Sequence, residues 1–254
     1  MMLPILRYII LSGVRDKLYI GLLTSILLAF CTSIFIGSTA MVEATQTTTI
    51  YIAATIRILF AVGIILFVCL SLNRAFEGKE IEFIISKSIS RQKFVLSYLL
   101  GFFAAIFLIF FIAITTIYLL CKCDKFGLLI WSLSIMSELS ILICFAVLSS
   151  LILRSAFAAI MSSFGFYILA RMMGIFTLAI ALPQDISQLK LNFFGSLLKL
   201  LSVFFPRLDL FGQSQWLIYG ISDFSNLWII LFQSLIYIPL LIFMAFHDFR
   251  KKQF

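Results

Sequence analysis

The stretch from Phe94 to Leu120 reads FVLSYLLGFFAAIFLIFFIAITTIYLL and contains no charged side chain. A membrane-spanning helix needs about 20 such residues, because it rises about 1.5 Å per residue through a hydrocarbon core of roughly 30 Å. Strands of a membrane β-barrel alternate apolar and polar residues, and this stretch does not alternate. The stretch therefore predicts a membrane-spanning α-helix.

Five further apolar runs resemble this one in length and character. Hydrophobic residues make up 63% of the 254 residues, charged residues only 12%, and the mean hydropathy is +1.17. A soluble fold of this length cannot cover so much apolar surface. The first run is also too long to be a removable signal peptide. We predict an all-α integral membrane protein that forms one transmembrane domain over residues 1–254, with spans at Leu18–Met41, Tyr51–Leu72, Phe94–Leu120, Gly127–Leu153, Ala156–Leu182 and Leu227–Phe246.

The basic residues indicate an orientation. Lys and Arg in short loops stay preferentially on the cytoplasmic side of a membrane. If the N-terminus is inside, twelve of the 19 Lys and Arg residues fall in inner segments. This bias predicts that both termini are cytoplasmic. It also accounts for the net charge of +8, so nucleic-acid binding is not invoked.

Motifs for soluble enzyme chemistry are missing from the sequence. It contains no GxxxxGK[ST] phosphate loop, no HExxH and no GxSxG. Its one histidine, His247, is expected at the membrane interface. Cys121 and Cys123 form a CxC pair, but two cysteines alone make neither a zinc site nor a secure disulfide. We expect no catalytic residue, no bound metal and no nucleotide-binding site of the chain's own.

The N-terminal residues 1–17 leave two interpretations open. Leu3, Leu6, Ile10 and Val14 have helical spacing, and the intervening basic side chains can face lipid head groups. This is the pattern of a helix that lies in the inner interface. The alternative is an ordinary apolar lead-in to the first span.

The loop after the second span reads NRAFEGKEIEFIISKSISRQKF over residues 73–94. Acidic and basic side chains surround a small apolar set there, which predicts a short amphipathic helix that packs on a partner or on the inner face of the bundle. Ser88 or Ser90 could cap the next helix, which runs from Arg91 into the third span.

A second informative stretch lies between the fifth and sixth spans, from Pro183 to Asn226. Leu191–Phe205 is nearly as apolar as a span but too short to cross, and Pro206 ends it. We predict short re-entrant helices in the outer leaflet with a turn near Pro206. A seventh crossing is the alternative, and it would place the basic C-terminus outside.

Arg57, Glu138 and Arg171 fall within predicted spans, where a charge costs at least a few kcal/mol and usually faces a partner. Arg57 lies near the outer end of its span and is expected to snorkel to the surface. Glu138 and Arg171 lie near mid-depth of adjacent spans. We hypothesise that these two form an ion pair that locks the fourth and fifth spans together; substrate or proton handling is the alternative.

The loop after the second span resembles that of membrane subunits of ABC exporters of the ABC-2 (type V) class. This family shows Glu-Gly, a second acidic residue, and a Ser-Arg-Pro-φ-Ser-Arg-like ending before the third span. The chain has a similar order, with Ser88 where the family has proline. The resemblance implies ATPase-coupling roles for Glu77, Gly78, Glu82, Ser88, Ser90 and Arg91.

The same resemblance, together with the six-span plan, implies a permease subunit in the plasma membrane, which is the bacterial inner membrane. ATP would bind to a separate ATPase subunit, and two permease chains would pair as a homodimer or heterodimer around an export path. The 29 Phe residues suggest an amphipathic or lipid-like cargo, although lipid-facing Phe would give the same count. Alternatives are a non-transporting assembly or anchoring protein, and an intramembrane enzyme.

Overall fold

A computed structural model describes residues 9, 11, 18–39, 44–78, 91–121, 123–153, 155–181, 205–221 and 224–251. Every regular element among these residues is helical, as their long unbroken apolar runs predict. The elements are α1 (Leu18–Thr39), α2 (Ala44–Glu77), α3 (Arg91–Leu120), α4 (Lys125–Ile152), α5 (Ala156–Ala181), a 3₁₀ turn (Leu208–Leu210), the four-residue α6 (Trp216–Tyr219) and α7 (Ser225–Lys251).

Six of these helices are long and apolar enough to cross a membrane, and they coincide with the six predicted runs. The chain therefore has the architecture of a multi-pass membrane protein. Two helices are longer than predicted. α2 begins at Ala44, and the hydroxyl of Thr49 inside its threonine-rich start donates to the carbonyl of Thr45 (2.9 Å). α7 continues past Pro239 to Lys251.

Helices α2 and α4 form the centre of the bundle and pack directly against each other. α1 packs on α2, α5 packs on both central helices, and α7 packs on α4. The outer helices α1, α5 and α7 keep most of their surface exposed, and that surface is rich in Leu, Ile and Phe. Such apolar outer faces suit hydrocarbon, which solvates them without cost.

The two ends of the bundle differ. One end carries the turn between α3 and α4 and residues 205–221, which we call the connector; this is the connector end. The other carries the last residue of α2, the first of α3 and the last of α7, and we call it the terminal end. At the terminal end, Ile9 is almost fully buried and its side chain packs where Gly101 leaves space on α3.

Three predicted segments fall partly or wholly outside the described residues. Of the proposed interfacial helix at 1–17, only residues 9 and 11 are described. The coupling segment is described up to Gly78 and again from Arg91. Of the proposed re-entrant helix Leu191–Phe205, only Phe205 is described. Pro206, the second residue of the connector, is buried.

Candidate functional site

Three charged side chains meet inside the bundle, each supplied by a different helix. Arg57 and Glu138 each lie roughly 20 Å along the axis from the connector-end terminus of α2 and α4, and Arg171 lies about 15 Å from that end of α5. Because all three distances are measured from the same end of the bundle, these positions lie at similar depth. We call Arg57, Glu138 and Arg171 the charge cluster.

The distances within the charge cluster define an Arg–Glu–Arg arrangement. Arg57 Nε lies 3.4 Å from Glu138 Oε2, and Arg171 Nη1 lies 4.0 Å from Glu138 Oε1. Glu138 is 0% exposed and Arg57 is 7% exposed. Within the described part of the chain, the two guanidinium groups and the hydroxyl of Tyr167 on α5 are the groups that face this carboxylate, and the guanidinium groups compensate its charge.

The expectation that Arg57 snorkels to the surface is wrong. Its side chain turns inward because the buried carboxylate of Glu138 is within reach, and a buried carboxylate without a cation is far more costly than a buried pair. Arg171 approaches Glu138 as the hypothesised pair requires, but Arg57 is closer. The carboxylate therefore joins α4 to both α2 and α5.

Two arginines and one glutamate leave the charge cluster with one surplus positive charge, and the connector supplies oxygen atoms to meet it. Arg57 Nη2 donates to the backbone carbonyls of Phe211 and Gly212. Arg171 Nη1 donates to the carbonyls of Leu208 and Phe211, the latter at 3.3 Å. Carbonyl dipoles stabilise a guanidinium without adding another charge to desolvate.

Gly212 allows this approach for two reasons. Its φ is +55°, in the left-handed region that favours glycine. An added Cβ would also overlap the side chain of Ile135 and come within 2.7 Å of Arg57 Nη2. The amide of Gly212 donates to Ser134 Oγ at 2.9 Å, so its polar atoms are bonded on both sides.

Further contacts hold the first half of the connector. Arg207 Nη2 forms an ion pair with Asp209 Oδ2 (3.0 Å), and the Asp209 side chain lies against Gly174 of α5. The Arg207 amide donates to the side-chain oxygen of Gln233 on α7 (3.2 Å). These contacts, with those of Leu208 to Gly212, seat the first half of the connector between α5, α7 and the centre of the bundle.

The second half of the connector lies on the first turn of α4. Asp124 caps this helix by accepting from the amide of Gly127 (2.7 Å), and its own amide donates to the carbonyl of Leu217 (3.0 Å). The carbonyl of Trp216 abuts Gly127, where a Cβ could not fit. A glycine in this first turn of α4 therefore lets the connector approach the helix backbone.

Cys121 and Cys123 lie beside this contact, in the turn between α3 and α4. Both are half-buried free thiols, and the Cys123 amide donates to the Cys121 carbonyl at 3.0 Å. A hydrogen bond from the Cys123 thiol lowers the pKa of Cys121 to about 7, and the same contact raises the pKa of Cys123. The described residues contain no group of three or more His, Cys, Asp or Glu side chains that could hold a metal ion.

The predicted ATPase-coupling residues are only partly placed by the structure. Glu77 is the last residue of α2, where its carboxylate accepts from the side-chain amide of Asn73 (2.8 Å), and Gly78 follows at the terminal end. Arg91 is the first residue of α3. Glu82, Ser88 and Ser90 lie outside the described residues. The coupling segment thus joins two helix ends at the opposite end from the connector.

The connector's part in the charge cluster cannot be predicted from the amino-acid sequence. Backbone carbonyls of residues 208–212 leave no signal in side-chain identity, and Ser134 resembles the other serines of α4. The one available signal was the pair of arginines against a single intramembrane glutamate, which requires an additional acceptor.

A comparison with models of known protein families finds no match to this chain, and a comparison with curated proteins finds none either.

Proposed function

We propose that this chain is the membrane-spanning permease subunit of an ATP-driven exporter of the ABC-2 (type V) class, coupled to a separate ATPase subunit. Two permease chains would pair around the export path. The observation that best supports this proposal is the continuity of α2, which runs without a break from the connector end to Glu77. Its 34 residues span about 50 Å.

A continuous helix of this length can carry a displacement from one end of the bundle to the other. At the terminal end, the helical bonding pattern of α2 extends to the Gly78 amide, which donates to the Arg74 carbonyl (2.8 Å). A motor subunit that docked on the segment from Glu77 to Arg91 would therefore push on the ends of α2 and α3. Rigid-body movement of packed helices is a common way to convey such a push.

The charge cluster would convert that movement into an opening at the connector end. Arg57 is carried by α2, whereas Glu138 and the connector carbonyls belong to its neighbours. A shift of α2 along α4 would separate Arg57 from several acceptors at once. The connector, seated by those same contacts, would then be released. In this proposal the connector acts as the outer gate of the export path.

The test starts with a search of the neighbouring genes for one that encodes an ABC ATPase subunit. We expect the detergent-extracted permease to copurify with that ATPase and to stimulate its ATP hydrolysis. Glu82→Gln and Arg91→Gln should leave membrane levels near normal but reduce copurification and transport. Asp248→Asn on α7 is the control, because it removes a carboxylate at the same end but outside the coupling segment.

Two outcomes would count against the proposal. One is a permease that repeatedly purifies without an ATPase subunit, with no ATPase gene nearby; an assembly or anchoring protein would behave in this way. The other is unchanged transport in the Glu82→Gln and Arg91→Gln variants, since that would remove the coupling role from the segment.

A further inference from the structure

A pocket at the terminal end combines cationic and aromatic side chains. It lies between the start of α3 and the end of α7 and has a volume of about 480 Å³. Because both helices end there, the pocket lies at the level where lipid head groups meet the hydrocarbon. Its lining consists of Gln92, Phe243, Phe246, His247, Arg250 and Lys251.

The lining favours an anionic group. Arg250 and Lys251 bring two positive charges, and His247 and Gln92 add further hydrogen-bond donors. Among the described residues that line the pocket there is no acidic side chain; Asp248, the nearest along α7, is not one of them. Guanidinium and ammonium groups bind phosphate oxygens well. The two phenylalanine rings, however, would gain nothing from a free inorganic anion.

An apolar groove continues along the same helix. A second pocket of about 440 Å³ follows α7 and is lined by Trp228, Leu231, Phe232, Ser234, Leu235, Ile238 and Pro239. The steps from Leu235 to Pro239, Phe243 and Phe246 are three or four residues, so these side chains form one stripe on α7. Leu235 lies about 16 Å from Phe246 along the axis, roughly the depth of one leaflet.

We propose that this face of α7 binds one anionic glycerophospholipid. Its phosphate would lie among His247, Arg250 and Lys251, and an acyl chain would follow the stripe from Phe246 towards Leu235. Basic pockets at helix ends recognise anionic lipids by this combination of charge and apolar surface. The proposal does not depend on the transport function.

The purified full-length chain in mild detergent provides the test, with native mass spectrometry as the measurement. Dioleoyl phosphatidylglycerol should bind more tightly than dioleoyl phosphatidylcholine, which has the same chains and no net charge. Arg250→Gln with Lys251→Gln should weaken the phosphatidylglycerol complex by roughly fivefold per charge removed. Lys251→Gln alone, at an exposed side chain, keeps the test valid if the double variant is unstable.

Lys93→Gln is the matched control, because Lys93 is exposed at the same end, beside Gln92, but outside the pocket. It should retain the lipid preference. Phe243→Ala should weaken both lipids equally, since it removes surface for the acyl chain and no charge. Inorganic phosphate at the same concentrations should not displace phosphatidylglycerol.

Four outcomes would overturn the proposal. Equal binding of the two lipids would remove the charge recognition. An equal loss in Lys93→Gln would indicate diffuse surface attraction. Displacement by inorganic phosphate would make the pocket a free-phosphate site. Efficient cross-linking of two copies through Phe243→Cys in mixed detergent–phosphatidylglycerol micelles, above the level that the native cysteines give alone, would show that a second chain, and not a lipid, covers this face.

Discussion

Arg57 of α2 and Glu138 of α4 approach to 3.4 Å at the centre of the bundle, and the same arginine donates to the carbonyls of Phe211 and Gly212. One side chain thus links two central helices to a segment that follows the fifth membrane helix. The charge cluster therefore serves as the attachment site of the connector as well as an ion pair between spans.

Removing the negative charge at the centre of the charge cluster should be strongly destabilising. Glu138→Gln keeps the size of the side chain but leaves two guanidinium groups facing each other around a neutral amide. We expect a loss of about 3 to 5 kcal/mol in the free energy of unfolding, as for other buried pairs that lose one partner. Unfolding by SDS in mixed micelles would measure it, with Glu77→Gln at an exposed helix end as the control.

Gly212→Ala should release the connector without altering any charge. Its positive φ and the contacts with Ile135 and Arg57 both oppose a side chain. We expect faster proteolysis within residues 205–221 and a lower melting temperature. Gly220→Ala separates the two causes, because Gly220 also has a positive φ (68°) but an added Cβ would make only ordinary contacts. Its ψ of −162° lies in a region that essentially only glycine adopts, so we expect about 1 to 3 kcal/mol of strain but no added exposure of residues 208–212 to proteolysis.

If Gly212→Ala and Gly220→Ala exposed residues 208–212 to proteolysis equally, close packing of Gly212 against Arg57 would not be needed to hold the connector in place. Gly165→Ala is a second control on α5, where an added Cβ would meet nothing within 4 Å. It should be neutral or slightly stabilising, because alanine favours a helix over glycine.

Ser134→Ala should weaken the connector's attachment by a smaller amount. It leaves the buried amide of Gly212 without its acceptor, at a cost of about 1 to 3 kcal/mol. Ser132→Ala is the matched control, since the Ser132 hydroxyl is exposed and donates only to the Leu129 carbonyl of its own helix. Hydrogen exchange at Gly212 should accelerate in the first variant only; equal rates in both would contradict the bond.

Cys121 should be alkylated at a lower pH than an ordinary thiol. Because its pKa is lowered to about 7 by the hydrogen bond from Cys123, its thiolate forms as the pH rises through 7. The rate of reaction with iodoacetamide should therefore rise with a midpoint near pH 7. In Cys123→Ala the midpoint should move to higher pH, because alanine has no side-chain donor for the Cys121 thiolate. An unchanged midpoint would remove Cys123 as the cause.

The positions of the membrane helices follow from local sequence, and the structure confirms all six. Apolar runs such as Phe94 to Leu120 have few alternatives in a membrane, since each backbone amide must bond within its own helix. The helix ends were less predictable. α2 extends to Ala44 because threonine hydroxyls can bond to the helix's own carbonyls, which a hydropathy average does not register.

The partners of the intramembrane charges could be predicted only in part from the local sequence. Sequence alone placed Arg57, Glu138 and Arg171 within predicted spans and paired Glu138 with Arg171, because an isolated charge in hydrocarbon is too costly to leave uncompensated. The similar depths of Glu138 and Arg171 within their spans were enough to predict that they pair. Depth was not enough for Arg57, because its position near the end of a predicted span suggested that its side chain would snorkel to the membrane surface.

The sequence by itself determined that this protein has six helices long and apolar enough to cross a membrane, and that three charged side chains lie within the predicted spans. Only the tertiary structure decided that both arginines share one glutamate and that the connector carbonyls meet the surplus charge. The physical reason is that membrane insertion depends on the summed hydropathy of each run, whereas partner choice depends on distances of a few ångströms between helices distant in sequence. Backbone carbonyls, present in every residue, become specific ligands only when folding positions them.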